Sequence, residues 1–536
     1  MTTAVRQTFF DAMASPEVAE SQSPTAFADW LGTVYANGRS DEHRKGHGLY
    51  LTPPEVARFM ASMIEPRAGT VRLLDPAAGA GVLLCAAVER LVAHPDRPRA
   101  IDLVACEIDA DLCGPLRRVL DRAVAWAAER GVSVTAEIRW QDFILAHAHA
   151  LDRTGDDCFD VVIANPPYFK IGMDDPRALA ARSVVHGQPN IYGLFMAVGA
   201  ALLKPGGEFV FITPRSFASG PYFKRFRTTF FDMMRPLRVH LFGSRREAFS
   251  RDAVLQENVI LHAVRDDRWL NRAARPALAM SGSAGAADLD AREEWLGDFA
   301  DVLDVRVSDI VFRLPGSPED ERVMRLVDGW SGSLRAYGLE ISTGPVVPFR
   351  ATRWLTGKPD GSTVPLIWMS HVRAMDLHWP NGTRKSQHIV NDPGSRRLLL
   401  PNRNYVVLRR FSAKEERRRL TAAPLLAGIL DAPLIGLENH LNYIHRPGGA
   451  LSDDETWGLA ALFNSALFDA YFRCVNGNTQ VGATELRVMP LPPLDRIAAL
   501  GRRVRCLPDP LAEIDSLVMN LATDRSADRF GDGAVV

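Results

Sequence analysis

The stretch from Phe159 to Tyr168, FDVVIANPPY, predicts both the fold class and the position of a site. Its apolar run, Val161 to Ala164, is typical of a central strand in an α/β sheet, and Asn165-Pro166-Pro167 ends that strand in a stiff polar turn. Open parallel sheets bind their ligands outside the carboxyl ends of the strands. We therefore expect Asn165 and Tyr168 to face a binding crevice.

The residues of this turn suit the activation of an amino group on an aromatic ring. Such an amine is a weak nucleophile because its lone pair is delocalised into the ring. The side-chain oxygen of Asn165 and the carbonyl oxygen of Pro166 can each accept a hydrogen bond from the amine, which leaves the lone pair available for attack. Tyr168 supplies a flat face on which the ring can stack. Taken alone, the tetrapeptide also fits an ordinary strand-to-turn junction.

Three earlier predicted strands each end at an acidic residue. VRLLDPAAGAG places Asp75 before a turn with Gly79 and Gly81, IDLVACEID ends near Glu107, and VTAEIRWQDF ends near Asp142. Each acid alone is as typical of a helix cap as of a binding site. Three of them at successive strand ends, followed by NPPY, indicate one ligand site at the edge of the sheet.

Asn165-Pro166-Pro167-Tyr168 after an apolar strand closely resembles motif IV of amino-group methyltransferases that use S-adenosylmethionine, above all the N6-adenine DNA methyltransferases. The glycine-rich turn after Asp75 resembles motif I, and the ends of the next two strands resemble motifs II and III. The segment Gly48-Leu49-Tyr50, with Thr52-Pro53 after it, resembles motif X, although TPPE is also typical of a helix capping box. This order, with a long C-terminal region, resembles the γ class of type II restriction-modification methyltransferases that are Eco57I-like or TaqI-like.

The resemblance implies a set of residues for binding the cofactor S-adenosylmethionine. Glu107 is expected to accept hydrogen bonds from the ribose hydroxyls, Asp142 to accept one from the adenine amino group, and Phe143 to pack on the ring. No metal is expected. The full implied set is Tyr50, Thr52, Pro53, Asp75, Pro76, Ala77, Gly79, Gly81, Glu107, Ile108, Asp142, Phe143 and Asn165.

The implied reaction is site-specific transfer of the sulfonium methyl group to N6 of a flipped-out adenine in duplex DNA, as the modification part of a restriction-modification system. The implied catalytic residues are Asn165, Pro166, Pro167 and Tyr168. The adenine is expected between Tyr168 and Phe249, where Phe249 matches motif VIII loosely and also fits a surface-loop phenylalanine.

Two alternatives remain open. Methylation of an RNA amine or a protein glutamine also uses NPPY, but the long basic C-terminal half argues against both. An inactive nucleic-acid-binding subunit is the other alternative, and the intact acidic strand ends and Asn165 argue against it.

The length of 536 residues predicts two or three domains. We expect an α/β fold with a Rossmann-like methyltransferase domain, followed by a mixed α+β target-recognition domain. The predicted bounds are a helical segment at 1–47, the catalytic domain at 48–266, the DNA target-recognition domain with its connecting segment at 267–521, and a disordered tail at 522–536.

The charge pattern indicates a local surface for double-stranded DNA. Lys and Arg total 63 against 64 Asp and Glu, a net charge of −1, but residues 351–420 hold fourteen basic and five acidic residues. KEERRRL within this region is by itself more typical of a solvated helix face. A separately encoded restriction endonuclease is a further expected partner. The candidate DNA-binding residues are Arg350, Arg373, Arg384, Lys385, Arg409, Arg410, Asn478 and Gln480.

The six cysteines have no CxxC spacing, which predicts free thiols in a reducing compartment. The N-terminus lacks the pattern of a signal peptide, and we find no run of roughly 18 apolar residues that could cross a membrane. We therefore expect a cytoplasmic protein without a membrane partner.

Overall fold

The computed structural model describes residues 23–40, 42–43, 51–152, 158–243, 258–272, 277–305, 309–412, 416–476 and 481–524. The chain divides into two compact units, Met1–Pro318 and Glu319–Val536. No helix in these described ranges is long and apolar enough to cross a membrane. All six cysteines are free thiols, and Cys85, Cys106 and Cys474 are buried.

Within the described residues, nine strands of the first unit form one sheet in the order β3-β2-β1-β4-β5-β7-β6-β8-β9. The strands β1 to β5 pair in parallel, and β7 runs antiparallel between β5 and β6. The strands are β1 Thr70–Asp75, β2 Ala100–Glu107, β3 Ser133–Trp140, β4 Phe159–Ala164, β5 Leu203–Pro214, β6 Met234–Phe242, β7 Asn258–Arg265, β8 Leu278–Ser283 and β9 Glu293–Gly297.

Helices cover both faces of this sheet, so that alternate side chains of a central strand enter different cores. In β4, Val162 lies in one hydrophobic cluster, while Val161 and Ile163 lie in the other. This double burial explains the continuous apolar run in the sequence. The helices are α1 Pro24–Asn37, α2 Pro54–Ser62, α3 Val82–Ala93, α4 Ala110–Ala128, α5 Phe143–His147, α6 Pro176–Ala180, α7 Ile191–Ala201, α8 Lys224–Met233 and α9 Phe299–Val302.

The first compact unit extends to Pro318, whereas the predicted catalytic domain ends at residue 266. Strands β8 and β9 lie beyond that residue and continue the sheet, with β8 parallel to β6. The residues of β8, LAMSGS, are small or polar and lie in the region predicted to include a connecting segment. They form a strand because main-chain pairing needs no large side chains, and Leu278 and Met280 still point into the core.

The predicted capping box at Thr52 is not formed. Helix α2 has Pro53 as its N-cap and no side-chain cap hydrogen bond. The Thr52 hydroxyl instead accepts a hydrogen bond from the side-chain amide of Asn165, at 3.0 Å. By contrast, α1 has a side-chain cap, because the Ser23 hydroxyl accepts a hydrogen bond from the Ala26 N–H at 3.4 Å.

The second unit mixes α and β structure, as predicted for the C-terminal region. A four-stranded antiparallel sheet has the order β12-β22-β19-β20, a five-stranded sheet has the order β13-β17-β14-β21-β18, and β15 pairs with β16, all within the described ranges. The strands are β12 Glu340–Thr343, β13 Leu355–Thr356, β14 Thr363–Ile367, β15 Val372–Arg373, β16 Asp376–Leu377, β17 His388–Val390, β18 Leu399–Pro401, β19 Tyr405–Arg409, β20 Ala422–Leu425, β21 Leu434–Leu437 and β22 Leu441–His445.

A helical layer packs on this second unit through a large apolar cluster that includes Leu459, Phe463 and Phe468. Two short strands, β10 Leu303–Asp304 and β11 Val311–Phe312, belong to the first unit. The helices from the boundary onward are α10 Pro318–Asp328, α11 Pro348–Ala351, α12 Asp453–Asn464, α13 Ala466–Val475, α14 Ala483–Arg487, α15 Leu494–Val504 and α16 Pro510–Thr523.

A fully buried arginine ties α8 to the end of the first unit. The Arg227 guanidinium donates to the carbonyls of Phe217 and Gly220 at 3.0 and 2.7 Å, to the Ile310 carbonyl, and to Asp309 at 2.7 Å. Burial of the guanidinium without these partners would leave its positive charge uncompensated. All four contacts of Arg227 are therefore needed together in the folded protein.

We expect Arg227→Met to lower the free energy of unfolding by about 3 kcal/mol, because the carbonyls of Phe217, Gly220 and Ile310 would lose their hydrogen-bond donor. Urea unfolding at neutral pH measures this loss. Arg238→Met is the matched control, since Arg238 pairs with Glu65 where both side chains are 43% and 58% exposed. The control should lose no more than about 1 kcal/mol. Equal losses in the two variants would contradict the role assigned to burial.

Candidate functional site

Parallel pairing brings the four predicted strand ends to one edge of the sheet. Asp75 and Glu107 are the last residues of β1 and β2, while Asp142 and Asn165 follow β3 and β4. Since β3, β2, β1 and β4 are consecutive neighbours, their carboxyl ends lie side by side. Two adjoining cavities open there, and they share Ala77, Gly79 and Asn165 as lining residues.

The larger cavity has a volume of about 220 Å³. Its wall combines carboxylates with apolar and aromatic side chains, a combination that suits a flat polar heterocycle joined to a sugar. The lining residues are Pro76, Ala77, Gly79, Cys106, Glu107, Ile108, Asp109, Gln141, Asp142, Phe143, Asn165, Pro167, Phe169, Arg177, Ile191 and Phe195.

Glu107 is held in place by two backbone groups. Its Oε2 accepts from the Gly79 N–H at 2.9 Å, and its Oε1 accepts from the Asp109 N–H at 2.8 Å. Burial raises the pKa of the Glu107 carboxyl, and these hydrogen bonds oppose that effect. Each carboxylate oxygen can still accept another hydrogen bond, so the residue is prepared for a diol such as a ribose.

The remaining predicted residues of this cavity differ in their exposure. Ile108 is 47% exposed, which is unusual for a large apolar side chain beside a cavity and suits contact with a ligand. Asp142 caps α5 by accepting from the Leu145 N–H at 3.0 Å. Phe143 is buried and stacks on Phe195, with ring centroids 5.3 Å apart, so part of its surface is already covered by protein.

The smaller cavity, of about 40 Å³, lies between α1, the motif X segment and the glycine-rich turn. Asp75 lines it and is almost fully buried. The Asp75 Oδ1 accepts from the Ala77 N–H at 3.0 Å, while its buried Oδ2 has no hydrogen-bond partner among the described residues. A buried carboxylate oxygen without a partner is costly, which marks this cavity as a site for a hydrogen-bond donor.

Burial is the main cause that raises the pKa of the Asp75 carboxyl to about 8. The hydrogen bond from Ala77 lowers this pKa, and the nearby charge of Glu107 raises it. A cation bound in the smaller cavity would favour the ionised form of Asp75. The smaller cavity therefore suits a positively charged ligand.

Asn165 stands where the two cavities meet, and both ends of its amide are held. Its Nδ2 donates to the Thr52 hydroxyl at 3.0 Å, and its Oδ1 accepts from the Tyr168 hydroxyl. The Tyr168 hydroxyl also lies 2.9 Å from the Ile212 carbonyl. Burial raises the pKa of Tyr168 well above its usual value, so the phenol keeps its proton and remains a donor.

The two glycines of the motif I turn have different environments. Gly79 has a φ of +54°, and a Cβ there would meet nothing within 4 Å, because the residue faces the cavities. Gly81 has a φ of +84°, and a Cβ there would lie 2.8 Å from Leu116 of α4. Gly79 thus leaves space for a ligand, whereas Gly81 allows close packing between helices.

The N-6 DNA Methylase family model matches residues 28–180, and the Eco57I restriction-modification methylase model matches residues 127–249. The type II methyltransferase M.PstI of Providencia stuartii is 32% identical, over 88% of this chain and 92% of its own length. The chain belongs to the type II methyltransferases.

A second type II methyltransferase, M.BsuBI of Bacillus subtilis, is 33% identical to this one over 85% of the chain and 90% of its own length. The crystal structure of the type IIG restriction endonuclease BpuSI aligns with 92% of this chain and 68% of that chain, at 13% identity and a TM-score of 0.44. The resemblance found from motifs X to IV is thus confirmed, and the enzyme is a restriction-modification DNA methyltransferase.

S-adenosylmethionine is the cofactor of this type II methyltransferase. The residues present fit it. The cofactor is a cation at its sulfonium, and the cavities carry Asp75, Glu107, Asp109 and Asp142, where one buried oxygen of Asp75 has no hydrogen-bond partner in the described parts of the chain. Glu107 and Ile108 would hold the adenosine part, while Asp75 and Thr52 would hold the methionine part.

Several predicted residues of the methyltransferase do not line either cavity or are not described. Gly81 packs against α4, Pro166 is buried, and Pro53 is the N-cap of α2. Tyr50, Phe249, Asn478 and Gln480 lie outside the described residues. The functional roles assigned to all of these residues stay predictions.

The structure also brings residues to the cavities that the sequence analysis did not select. Gln141 and Asp109 flank predicted residues and could have been found from that proximity alone. Arg177 and Phe195 arrive from α6 and α7, and no local pattern indicates their position. Arg177 makes an ion pair with Asp175 at 2.8 Å.

The candidate DNA-binding residues of the second unit fall into two groups. Arg373, Arg384 and Lys385 are exposed, as is Arg350, whose guanidinium lies 5.3 Å from the ring centroid of Phe349. Arg409 and Arg410 are partly buried and donate to backbone carbonyls, those of Val372 at 2.7 Å and Asn439 at 3.1 Å. The second group has a structural function in this unit.

A pH effect on stability follows from the raised pKa of Asp75. The unfolded chain loses this proton near the usual pKa of 3.8, whereas the folded protein keeps it up to about pH 8. The folded state therefore binds more protons in this window, and the contribution of Asp75 to stability falls as pH rises through it.

We expect Asp75→Asn to remove this dependence, because asparagine does not titrate and can still accept from the Ala77 N–H. Between pH 5 and 8, the free energy of unfolding of the wild type should fall relative to that of the variant as the pH rises. The difference between the two should change by on the order of 1 kcal/mol per pH unit. Denaturant unfolding without cofactor, at each pH, measures the difference. A difference independent of pH would contradict the raised pKa.

Proposed function

We propose that this type II methyltransferase is adenine-specific and transfers the methyl group to N6 of an adenine in duplex DNA. The observation that carries the proposal is the position of Asn165, whose amide is fixed by Thr52 and Tyr168 at the junction of the two cavities. An amide group at this junction would lie next to both the cofactor and a substrate amine.

The orientation of Asn165 suits the activation of an exocyclic amine. A carbonyl oxygen has two lone pairs, and the Tyr168 hydroxyl uses one of those on Asn165 Oδ1. The other can accept a hydrogen bond from the adenine amine, together with the carbonyl of Pro166. Two such bonds favour a tetrahedral nitrogen, whose lone pair then points at the methyl group.

The residues around Asn165 act by positioning and by electrostatics. When bound, S-adenosylmethionine supplies an electrophilic methyl group. Asp75 and Glu107 hold the two ends of the cofactor so that this group lies next to the amine, which lowers the entropic part of the barrier. After transfer, the nitrogen carries a positive charge, and the oxygen of Asn165 stabilises it until a proton leaves to solvent.

Access to N6 inside a duplex requires the adenine to leave the base stack. Tyr168 is partly exposed beside Asn165, and its ring contacts Tyr192 edge to face, with centroids 6.0 Å apart. One face of Tyr168 is proposed to stack on the flipped base. We propose Phe249 for the other side of the base.

The second unit is proposed to bind and read DNA. Its support is the positive charge of residues 351–420, with Arg350, Arg373, Arg384 and Lys385 exposed. A separately encoded restriction endonuclease and a cytoplasmic location also stay predictions. RNA or glutamine methylation is less favoured, because the relatives that match most of the chain are restriction-modification methyltransferases.

The test is incubation with S-adenosylmethionine labelled in its methyl group, using unmethylated DNA, RNA and a protein extract as separate acceptors. Mass spectrometry of the hydrolysed products should find N6-methyladenine, in DNA only. Asn165→Ala should reduce transfer by at least about 10³-fold, since it removes the group that activates the amine. Its affinity for the cofactor should change less than threefold. N4-methylcytosine, labelled RNA or labelled glutamine would overturn the proposal.

Substitution should have different effects at exposed arginines of the second unit and at arginines that donate to backbone carbonyls. Replacing Arg373 and Arg384 together with Ala should weaken DNA binding and lower the slope of log K against log salt by about 2. Arg409→Ala should instead lower the free energy of unfolding, by about 1–3 kcal/mol, since it breaks the bond to the Val372 carbonyl. Unchanged DNA affinity in the double variant would argue against this surface.

A further inference from the structure

Helix α1 contributes directly to the wall of the smaller cavity. Ala28 and Asp29 of this helix line it, together with Thr52, Asp75 and Asn165. The sequence predicts only a helical segment here, and motif X begins about twenty residues later. Asp29 therefore lines this cavity from a helix that lies outside the recognised motifs.

Three contacts hold α1 firmly against the cofactor-binding turn and its neighbours. The Thr25 N–H donates to Glu89 at 2.7 Å near the start of the helix. At Gly32, a Cβ would lie 2.8 Å from the Cβ of Ala80, so the helix backbone touches the motif I turn. Near its end, the Tyr35 hydroxyl donates to Asp109 at 2.6 Å.

These contacts span the whole of α1 and leave little freedom for the helix to move away from the cavity. Asp109 itself is the N-cap of α4 and lies two residues after Glu107, so the same helix touches both ends of the cofactor site. Asp29, one turn after the start of α1, is consequently held at a defined place in the wall.

The charges of the smaller cavity call for a cationic donor. Asp29 and Asp75 are its acidic side chains, and the Oδ2 of Asp75 is buried without a hydrogen-bond partner among the described residues. No basic side chain lines this cavity in the described part of the chain. The Oδ2 of Asp75 needs a hydrogen-bond donor, and a donor that carries a positive charge would also complement the carboxylate of Asp29 in the same wall.

We propose that Asp29, together with Asp75, binds the α-ammonium group of the methionine part of the cofactor. An ammonium has three N–H donors, which matches two carboxylates and a further acceptor. The sulfonium has no N–H or O–H to donate, and the methyl group on it must lie beside Asn165. Asn165 and Asp29 both line this cavity, so a ligand with its methyl group beside Asn165 can have its amino group in the same cavity.

This inference rests on the cofactor of the family and does not depend on the methyl acceptor. It makes α1 a part of cofactor recognition, with Asp29 as a binding residue that contacts the part of the molecule that does not react. Loss of Asp29 should affect ligands that carry the amino group and spare those that lack it.

The experiment is calorimetric titration of the full-length protein with S-adenosylmethionine and with 5′-methylthioadenosine, which lacks the amino-acid part. We expect Asp29→Asn to weaken binding of S-adenosylmethionine about tenfold or more and to change binding of 5′-methylthioadenosine less than twofold. Asp111→Asn is the matched control. It removes an exposed carboxylate that pairs with Arg39 of the α1 C-terminal region at 2.9 Å, and both affinities should stay near the wild-type values.

Equal binding of S-adenosylmethionine by the Asp29→Asn variant and the wild type would overturn the inference. So would an equal loss for both ligands, since that result means a displaced α1. Failure of the wild type to bind S-adenosylmethionine would overturn the cofactor assignment itself, and a product other than N6-methyladenine would affect only the proposed function.

A measurement on the unmodified protein covers the case in which the variant does not fold. An S-adenosylmethionine analogue with hydrogen in place of the α-amino group should bind the wild type at least about tenfold more weakly than the cofactor. In a folded Asp29→Asn variant, the difference between these two ligands should shrink. Equal affinity of the wild type for both ligands would overturn the inference.

Discussion

Parallel pairing of β1 with β2 on one side and β4 on the other is the constraint on which the site depends. It places Asp75, Glu107 and Asn165 at one edge of the sheet, although they are far apart in the chain. A reversed strand would send its terminal side chain to the opposite edge. The buried apolar runs that specify this pairing therefore also specify where the chemistry occurs.

The carboxylates of the two cavities are costly for the empty protein. Burial raises the pKa values of Asp75 and Glu107, and one oxygen of Asp75 has no hydrogen-bond partner within the described residues. A cationic cofactor would offset this cost, because it would supply a positive charge and hydrogen-bond donors to these carboxyl groups. The buried acidic groups therefore lower the stability of the protein without cofactor, and they would favour a positively charged ligand.

Asn165 shows how a local motif is completed by distant parts of the fold. NPPY by itself indicates an amide at the end of a strand, and that expectation was met. The partner of its nitrogen is Thr52, 113 residues earlier, at a position that suggested a helix cap. Proline at 53 and 54 begins α2 without that cap and leaves the hydroxyl available for Asn165.

The sequence by itself determined the strands β1 to β4, the acidic strand ends and the family, because apolar runs, glycine turns and short motifs are local patterns. Only the tertiary structure decided that the first unit extends to Pro318, that Asp29 of α1 reaches the smaller cavity, and that Arg409 bonds to the protein itself. Each of these depends on the packing of segments far apart in the chain, and no local pattern specifies such contacts.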